Sequence, residues 1–255
     1  MFGANDKDDT IFHFAPRCLY IIIIAVIILP YNITIIMNGI WVLLLLLITA
    51  TLPAIIVFFW LKSGKSPITL PWFLISFLAG IVSFVIAAII QPFFPPYKAE
   101  AFWPVFFDVF IRIAMVEEAS RIIVLFLQKK ASKNRWNDVA FGAALGLITG
   151  LGFAAIENAY YGLANINITL LRLFTAAPLH AACGIRAGAA VFNVPKHPVK
   201  AFFLFVSSVF IHGAYNLMIV SPAIPSFLAI LTAIIAFFAS IYYLTDISIS
   251  DDSLL

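Results

Sequence analysis

Ile113-Ala-Met-Val-Glu117-Glu118-Ala-Ser-Arg121-Ile-Ile-Val-Leu125 is the stretch on which the reading of this chain turns. Two adjacent glutamates stand near the middle of an apolar run from Phe102 to Gln128, long enough to cross a bilayer. An ionised side chain at that depth costs about 2.5–3.5 kcal/mol on insertion scales, and two neighbours also repel each other. Helix geometry offers partial relief. Arg121 lies one turn beyond Glu117, so that pair can neutralise along one face. Glu118 is about 100° further round and meets a different neighbour. Asp108 and Arg112 form another i,i+4 pair on nearly the opposite side. A helix polar on several sides cannot face lipid and belongs inside a bundle. Taken alone, the stretch is equally well read as buried ion pairs that fix helix packing.

The remaining sequence supplies the bundle. Of 255 residues, 64% are hydrophobic and 11% charged, with a mean hydropathy of +1.08; soluble domains average about 25% charged. The apolar runs are continuous, which excludes the alternating strands of an outer-membrane barrel. The expected fold is an all-α polytopic membrane protein of about eight transmembrane helices, near 17–37, 40–61, 70–91, 102–128, 138–161, 169–191, 200–220 and 225–245. Pro30 and Asn32 make the first irregular, and Asn38-Gly39 reads as the turn into the second. The first run lacks a short apolar core followed by a small-residue cleavage site, so it reads as a retained anchor.

With both ends on one side, that side holds ten basic residues: Lys7, Arg17, Lys62, Lys65, four between Lys129 and Arg135, Lys196 and Lys200. The other side holds two, Lys98 and Arg172. Basic residues collect in the cytoplasm, so both termini are expected inside. The net charge of +3 gives no reason to expect nucleic acid. Cys18 and Cys183 lie far apart in apolar runs and imply no disulfide framework or Cys-rich metal site.

The ionisable residues of the later helices are few and concentrated. Gly142, Gly146 and Gly150 form a small-residue stripe that permits close helix contact, and at 100° per residue Phe153 and Glu157 continue the same face. Asn158 follows. The run from Thr175 to Ala190 is nearly all small residues around Pro178, His180 and Arg186. His212 and Asn216 share a face at i,i+4, with Ser208 one turn earlier. Each feature alone could be a packing contact. Together, three of the chain's four glutamates and two of its four histidines lie within four consecutive helices. Intramembrane ionisable groups mark functional sites. A desolvated carboxylate suits a general base acting on water, and His and Asn suit a developing oxyanion.

Glu117-Glu118-Ala-Ser-Arg121, Phe153-Ala-Ala-Ile-Glu157-Asn158, the isolated His180 and His212-Gly-Ala-Tyr-Asn216 resemble, in order and spacing, the four motifs of PrsW-type intramembrane proteases. That family is related to the CAAX prenyl endopeptidases and the CPBP proteins. The resemblance covers about residues 100–220. It implies peptide-bond hydrolysis within the membrane, with Glu117 as general base, Glu118 and Arg121 orienting or neutralising it, and His212 with Asn216 as the oxyanion hole. Glu157 stands where the CAAX branch has a histidine, and His180 belongs to the third motif. Arg121 replaces the Lys expected in much of the PrsW group. A zinc ion held by ligands drawn from Glu117, Glu157, His180 and His212 is one mechanism, of the His₂Glu kind; analogy with the wider clan favours a metal-free glutamate mechanism.

On this reading residues 1–16 are a cytoplasmic tail, 17–101 the first three helices, 102–220 a four-helix catalytic core, and 221–255 the last helix with a short acidic tail. The expected partner is a single-pass membrane protein substrate, such as an anti-sigma factor cut at site 1, in a bacterial cytoplasmic membrane. Two other classes compete: a non-catalytic scaffold, which would not need the Glu-Glu pair, and a proton-coupled transporter, for which no inverted repeat is evident. Glu157 lies about 28 Å from the inner edge of its helix, so the cavity is expected to widen outward, with Pro92–Tyr97 as one wall.

Overall fold

The computed structural model describes residues 29–63, 66–94, 102–131 and 138–252. The chain divides into two units, Met1–Leu45 and Leu46–Leu255. In the first, the described residues 29–45 are helical. The second holds the helix bundle and the ionisable residues of the four motifs.

Among the described residues all regular structure is helical. In order come α1 (Leu29–Ser63), α2 (Leu70–Ile90) with a 3₁₀ turn at Gln91–Phe93, and α3 (Phe102–Phe107). A π-helix (Asp108–Met115) carries α3 without interruption into α4 (Val116–Ala131). Then follow α5 (Val139–Gly162), α6 (Ile166–Phe174), α7 (Ala176–Asn193), α8 (Pro198–Val220) and α9 (Phe227–Asp252). Five segments are long and apolar enough to cross a membrane: Gly39–Ser63, Leu70–Phe93, Val139–Gly162, Pro198–Val220 and Phe227–Ser248. The bent pair α6–α7 makes a sixth if counted as one. The chain is therefore a multi-pass integral membrane protein. Phe102–Ala131 is about 45 Å of helix, but Asp108, Arg112, Glu117, Glu118 and Arg121 keep it out of the apolar set.

The helix boundaries differ from expectation in three places. Asn38-Gly39 is not a turn, because α1 runs through it. A glycine in a helix costs about 1 kcal/mol, less than opening unsatisfied backbone groups inside an apolar run. The remainder of the expected first helix, the tail before it, and residues 95–97 and 132–135 of the two expected loops lie outside the described residues. The expected single helix at 169–191 is two, bent by 46° at Thr175. Pro178 explains this: it has no N–H, and its ring collides with the carbonyl four residues back, at Phe174. The acidic segment from Asp246 is helical to Asp252, since extending α9 is easier than ending it.

α5 is the centre of the bundle and almost entirely buried. The Asp138 side chain caps it by accepting from Ala140 N at 2.7 Å. Its glycine stripe lies on α7, where β-carbons would overlap the Phe192 ring at Gly142, the Gly184 carbonyl at Gly146 and the His180 carbonyl at Gly150. On the opposite face Gly152 meets the backbone of Phe77, and Gly80 of α2 meets Thr149. Only glycine allows backbones so close. α7 is thus pressed to α5 along its length, and Lys129 Nζ closes its far end by donating to Val191 O at 3.1 Å. The outer helices α2, α8 and α9 turn large apolar side chains outward, among them Leu78, Phe202 and Phe238.

Candidate active site

Four helices bring their polar residues to one place because the glycine contacts fix their register. α4 starts where the π-helix ends, so the 100° count fails between Asp108 and Glu117. Phe110 of the π-helix occupies the space a β-carbon at Gly213 would need, which locks the neighbouring His212 of α8 against α4.

Glu118 is completely buried and fully engaged. Its Oε2 accepts from Arg121 Nη1 and from Ser208 Oγ (2.8 Å), and its Oε1 accepts from His212 Nδ1 (2.8 Å). The ion pair of α4 is therefore Glu118–Arg121, at i,i+3, rather than the expected Glu117–Arg121. Both spacings are available on a helix. Glu118 takes the arginine because it faces α7 and α8, where its charge has no water, while Glu117 has another partner. Gln91 Nε2, at the end of α2, donates to Glu117 Oε1 at 2.9 Å. Glu117 Oε2 is buried without a hydrogen-bond partner and lies 3.6 Å from His212 Nε2.

His180 bridges the two halves of the site. Arg121 Nη2 lies 3.2 Å from its Nδ1 and Glu157 Oε2 lies 2.8 Å from its Nε2. Arginine only donates, so Nδ1 is the acceptor and Nε2–H donates to Glu157. Phe153 packs under the arrangement, 4.9 Å from the His180 ring and 4.9 Å from the Arg121 guanidinium. The His180 and His212 rings meet edge to face at 5.0 Å. Glu157 Oε2 also accepts from Arg172 Nη2 at 2.6 Å, and Arg172 Nε donates to Asn158 Oδ1 at 2.7 Å.

Glu117, Glu118, Arg121, Phe153, Glu157, Asn158, His180 and His212 thus converge. Asn216 stands half-buried one turn beyond His212. Sequence reasoning missed Gln91 and Arg172. Gln91 precedes Pro92 and reads only as a helix break; Arg172 reads as a basic residue at a helix edge. A carboxylate inside an apolar helix at Glu157, without a basic residue on that helix, was the available signal for Arg172.

The donor set fits a divalent metal. Ligand atoms of Glu117, His180 and His212 lie within 4.8 Å of one another. His212 Nδ1–H is committed to Glu118, so a neutral His212 ring turns its Nε2 lone pair toward Glu117 Oε2, 3.6 Å away and without a hydrogen-bond partner. Ligands at the usual 2.0–2.1 Å from a tetrahedral zinc are about 3.3 Å apart. Among the described residues Arg121 pairs with Glu118 and Arg172 with Glu157, while Glu117 meets no arginine or lysine within ion-pair distance. A second grouping, Glu118, Cys183 and His212, suits a metal less, because both Glu118 oxygens are already taken.

A multi-pass helical bundle that buries a carboxylate–imidazole cluster able to hold a metal has the make-up of an intramembrane metallohydrolase. Compared with models of known families, residues 69–244 match the PrsW family intramembrane metalloproteases, and the chain belongs to that family. No curated protein and no solved structure matches it. The matched region extends beyond the four motifs to include α2, whose end supplies Gln91.

Proposed function

We propose that the protein hydrolyses a peptide bond of a single-pass membrane protein near one membrane face, with Glu117, His180 and His212 holding a divalent metal, zinc by ligand type. The observation that carries this reading is Glu117 Oε2, buried without a hydrogen-bond partner, facing His212 Nε2 with His180 close enough to complete a ligand set. Together with the family's description as metalloproteases, it favours a metal-dependent mechanism over the metal-free one suggested by the wider clan. When bound, the metal would polarise a water and the scissile carbonyl.

The chain's own residues divide the remaining work. Glu118 holds His212 in the tautomer that leaves Nε2 free, as carboxylates behind metal-binding histidines do. Gln91 fixes Glu117 so that its two oxygens differ: Oε2 faces His212, and Oε1, which accepts from Gln91 with one lone pair, uses the other to take the proton of the attacking water and return it to the leaving amine. His180 enters the ligand set by giving up one of its two ring hydrogen bonds. His212, used as a ligand, no longer serves the oxyanion, and that role falls to Asn216. Phe153 keeps the floor of the site dry.

The level of the site supports cleavage outside the cytoplasm. Gln91 follows the 21 residues of α2, about 31 Å of helix, so Glu117, bonded to Gln91, lies toward the end of α2 remote from Lys62. Glu157 is about 28 Å along α5 from Asp138. If basic residues face the cytoplasm, the substrate is cut in its outer juxtamembrane stretch, as site-1 cleavage of an anti-sigma factor would require. Co-expression with a panel of single-pass proteins tests this. Fragments should appear with the wild type and not with Glu117→Ala; identical fragments from both would reject the assignment.

A further inference from the structure

We propose that Arg172 is a positioning residue of the reaction, which fixes the Glu157 carboxylate against His180 and so holds that histidine for the metal site. The inference rests on the proposed metal-dependent reading and extends it to a helix outside the four motifs. α6 has only one buried residue, Thr169, and its large apolar side chains Leu170, Leu171 and Phe174 are exposed. It is tied to α5 by polar contacts instead. Thr169 Oγ donates to Asn158 O at 2.9 Å. Arg172 then straddles the end of α5: Nη2 donates to Glu157 Oε2, Nε donates to Asn158 Oδ1, and the guanidinium stacks 4.4 Å over the Tyr161 ring.

One carboxylate oxygen, Glu157 Oε2, receives both Arg172 and His180. Its location is set by the more rigid donor, a planar guanidinium anchored on two other sides. His180 follows that oxygen, because its Nε2–H is committed to it. Arg172 also supplies the counter-charge that keeps the half-buried Glu157 carboxylate in this orientation near Glu117 and Glu118. The bend at Thr175 joins α6 to the helix that carries His180, so Arg172 and His180 approach Glu157 from either side of that break.

The test is cobalt binding by the purified full-length protein, stripped with chelator and titrated with Co²⁺ alone while ligand-field absorption is followed. Arg172→Met should weaken Co²⁺ binding about 10–100-fold, the usual effect of losing a supporting partner of a metal ligand, with one ion per chain at saturation. Arg172→Lys, which keeps the charge but not the fork, should fall between. Because Arg172 acts through Glu157, the double variant Arg172→Met/Glu157→Gln should bind no more weakly than Glu157→Gln alone. That neutral double variant also serves if Arg172→Met fails to accumulate. Thr169→Val, which loosens α6 without touching Glu157, should bind as wild type. Wild-type affinity in Arg172→Met, or penalties that simply add in the double variant, would overturn the role of Arg172. A wild-type protein that takes up no cobalt would instead overturn the reading of the site, and this proposal with it.

Discussion

Glu117 and Glu118 are neighbours whose replacement should have opposite consequences. Glu117 has one hydrogen-bond partner, Gln91, and an unpartnered oxygen. Glu117→Gln keeps its shape, so the protein should accumulate and melt as the metal-free wild type does in detergent, while cleavage falls by at least about 10²–10⁴ with the loss of the base and of one metal ligand. Glu118 neutralises Arg121 and accepts from Ser208 and His212, all buried. Glu118→Gln strands the Arg121 charge, and breaking such a buried pair costs about 3–5 kcal/mol. It should therefore lose thermal stability as well as activity. If both variants melt alike, the two carboxylates do not have the different roles assigned to them. The residues themselves were legible in the sequence, because glutamate and histidine are rare in apolar runs. Their pairing was not: Arg121 can reach either glutamate along its own helix, and the choice is made by Ser208 and His212, about 90 residues away in the chain.

At the scale of the elements, the site depends on α5 and α7 touching backbone to backbone. A β-carbon at Gly146 would overlap the carbonyl of Gly184, which cannot move aside as a side chain can. Gly146→Ala should destabilise by about 1–3 kcal/mol, the range for overpacking, and weaken metal binding by separating the helices that carry Glu157 and His180. Gly39→Ala is the control, with nothing within 4 Å of the added carbon, and should be neutral or slightly stabilising. Equal melting temperatures for the two variants would contradict the packing account. The glycine stripe and its continuation through Phe153 and Glu157 were readable from four-residue spacing. The π-helix and the bend at Thr175 were not, since the first has no sequence signature and the second acts three residues before the proline that causes it. Arg172 went unrecognised for the same reason: a straight helix would not have turned it back to Glu157.

For the whole molecule, the helices predict two chemically distinct faces. Tyr161 is exposed at the end of α5 beside Arg172, and Lys196 is exposed in the turn between α7 and α8, at the opposite end of the bundle. In a background with Cys18 and Cys183 replaced, Tyr161→Cys should react with a membrane-impermeant thiol reagent added outside intact cells, and Lys196→Cys only after permeabilisation. The reverse pattern would put the site at the cytoplasmic face and move the search for substrates there. The boundary between the first two expected helices was the least legible feature at this scale, because an uninterrupted apolar run hides its turns and Asn38-Gly39 does not make one. The central claim is that Glu117, His180 and His212 form a metal site for proteolysis. Elemental analysis of protein purified without added metal tests it most directly. One divalent ion per chain should be found in the wild type and lost in both His180→Ala and His212→Ala while each remains folded. A wild-type protein that carries no metal and still cleaves its substrate in strong chelator would contradict the account.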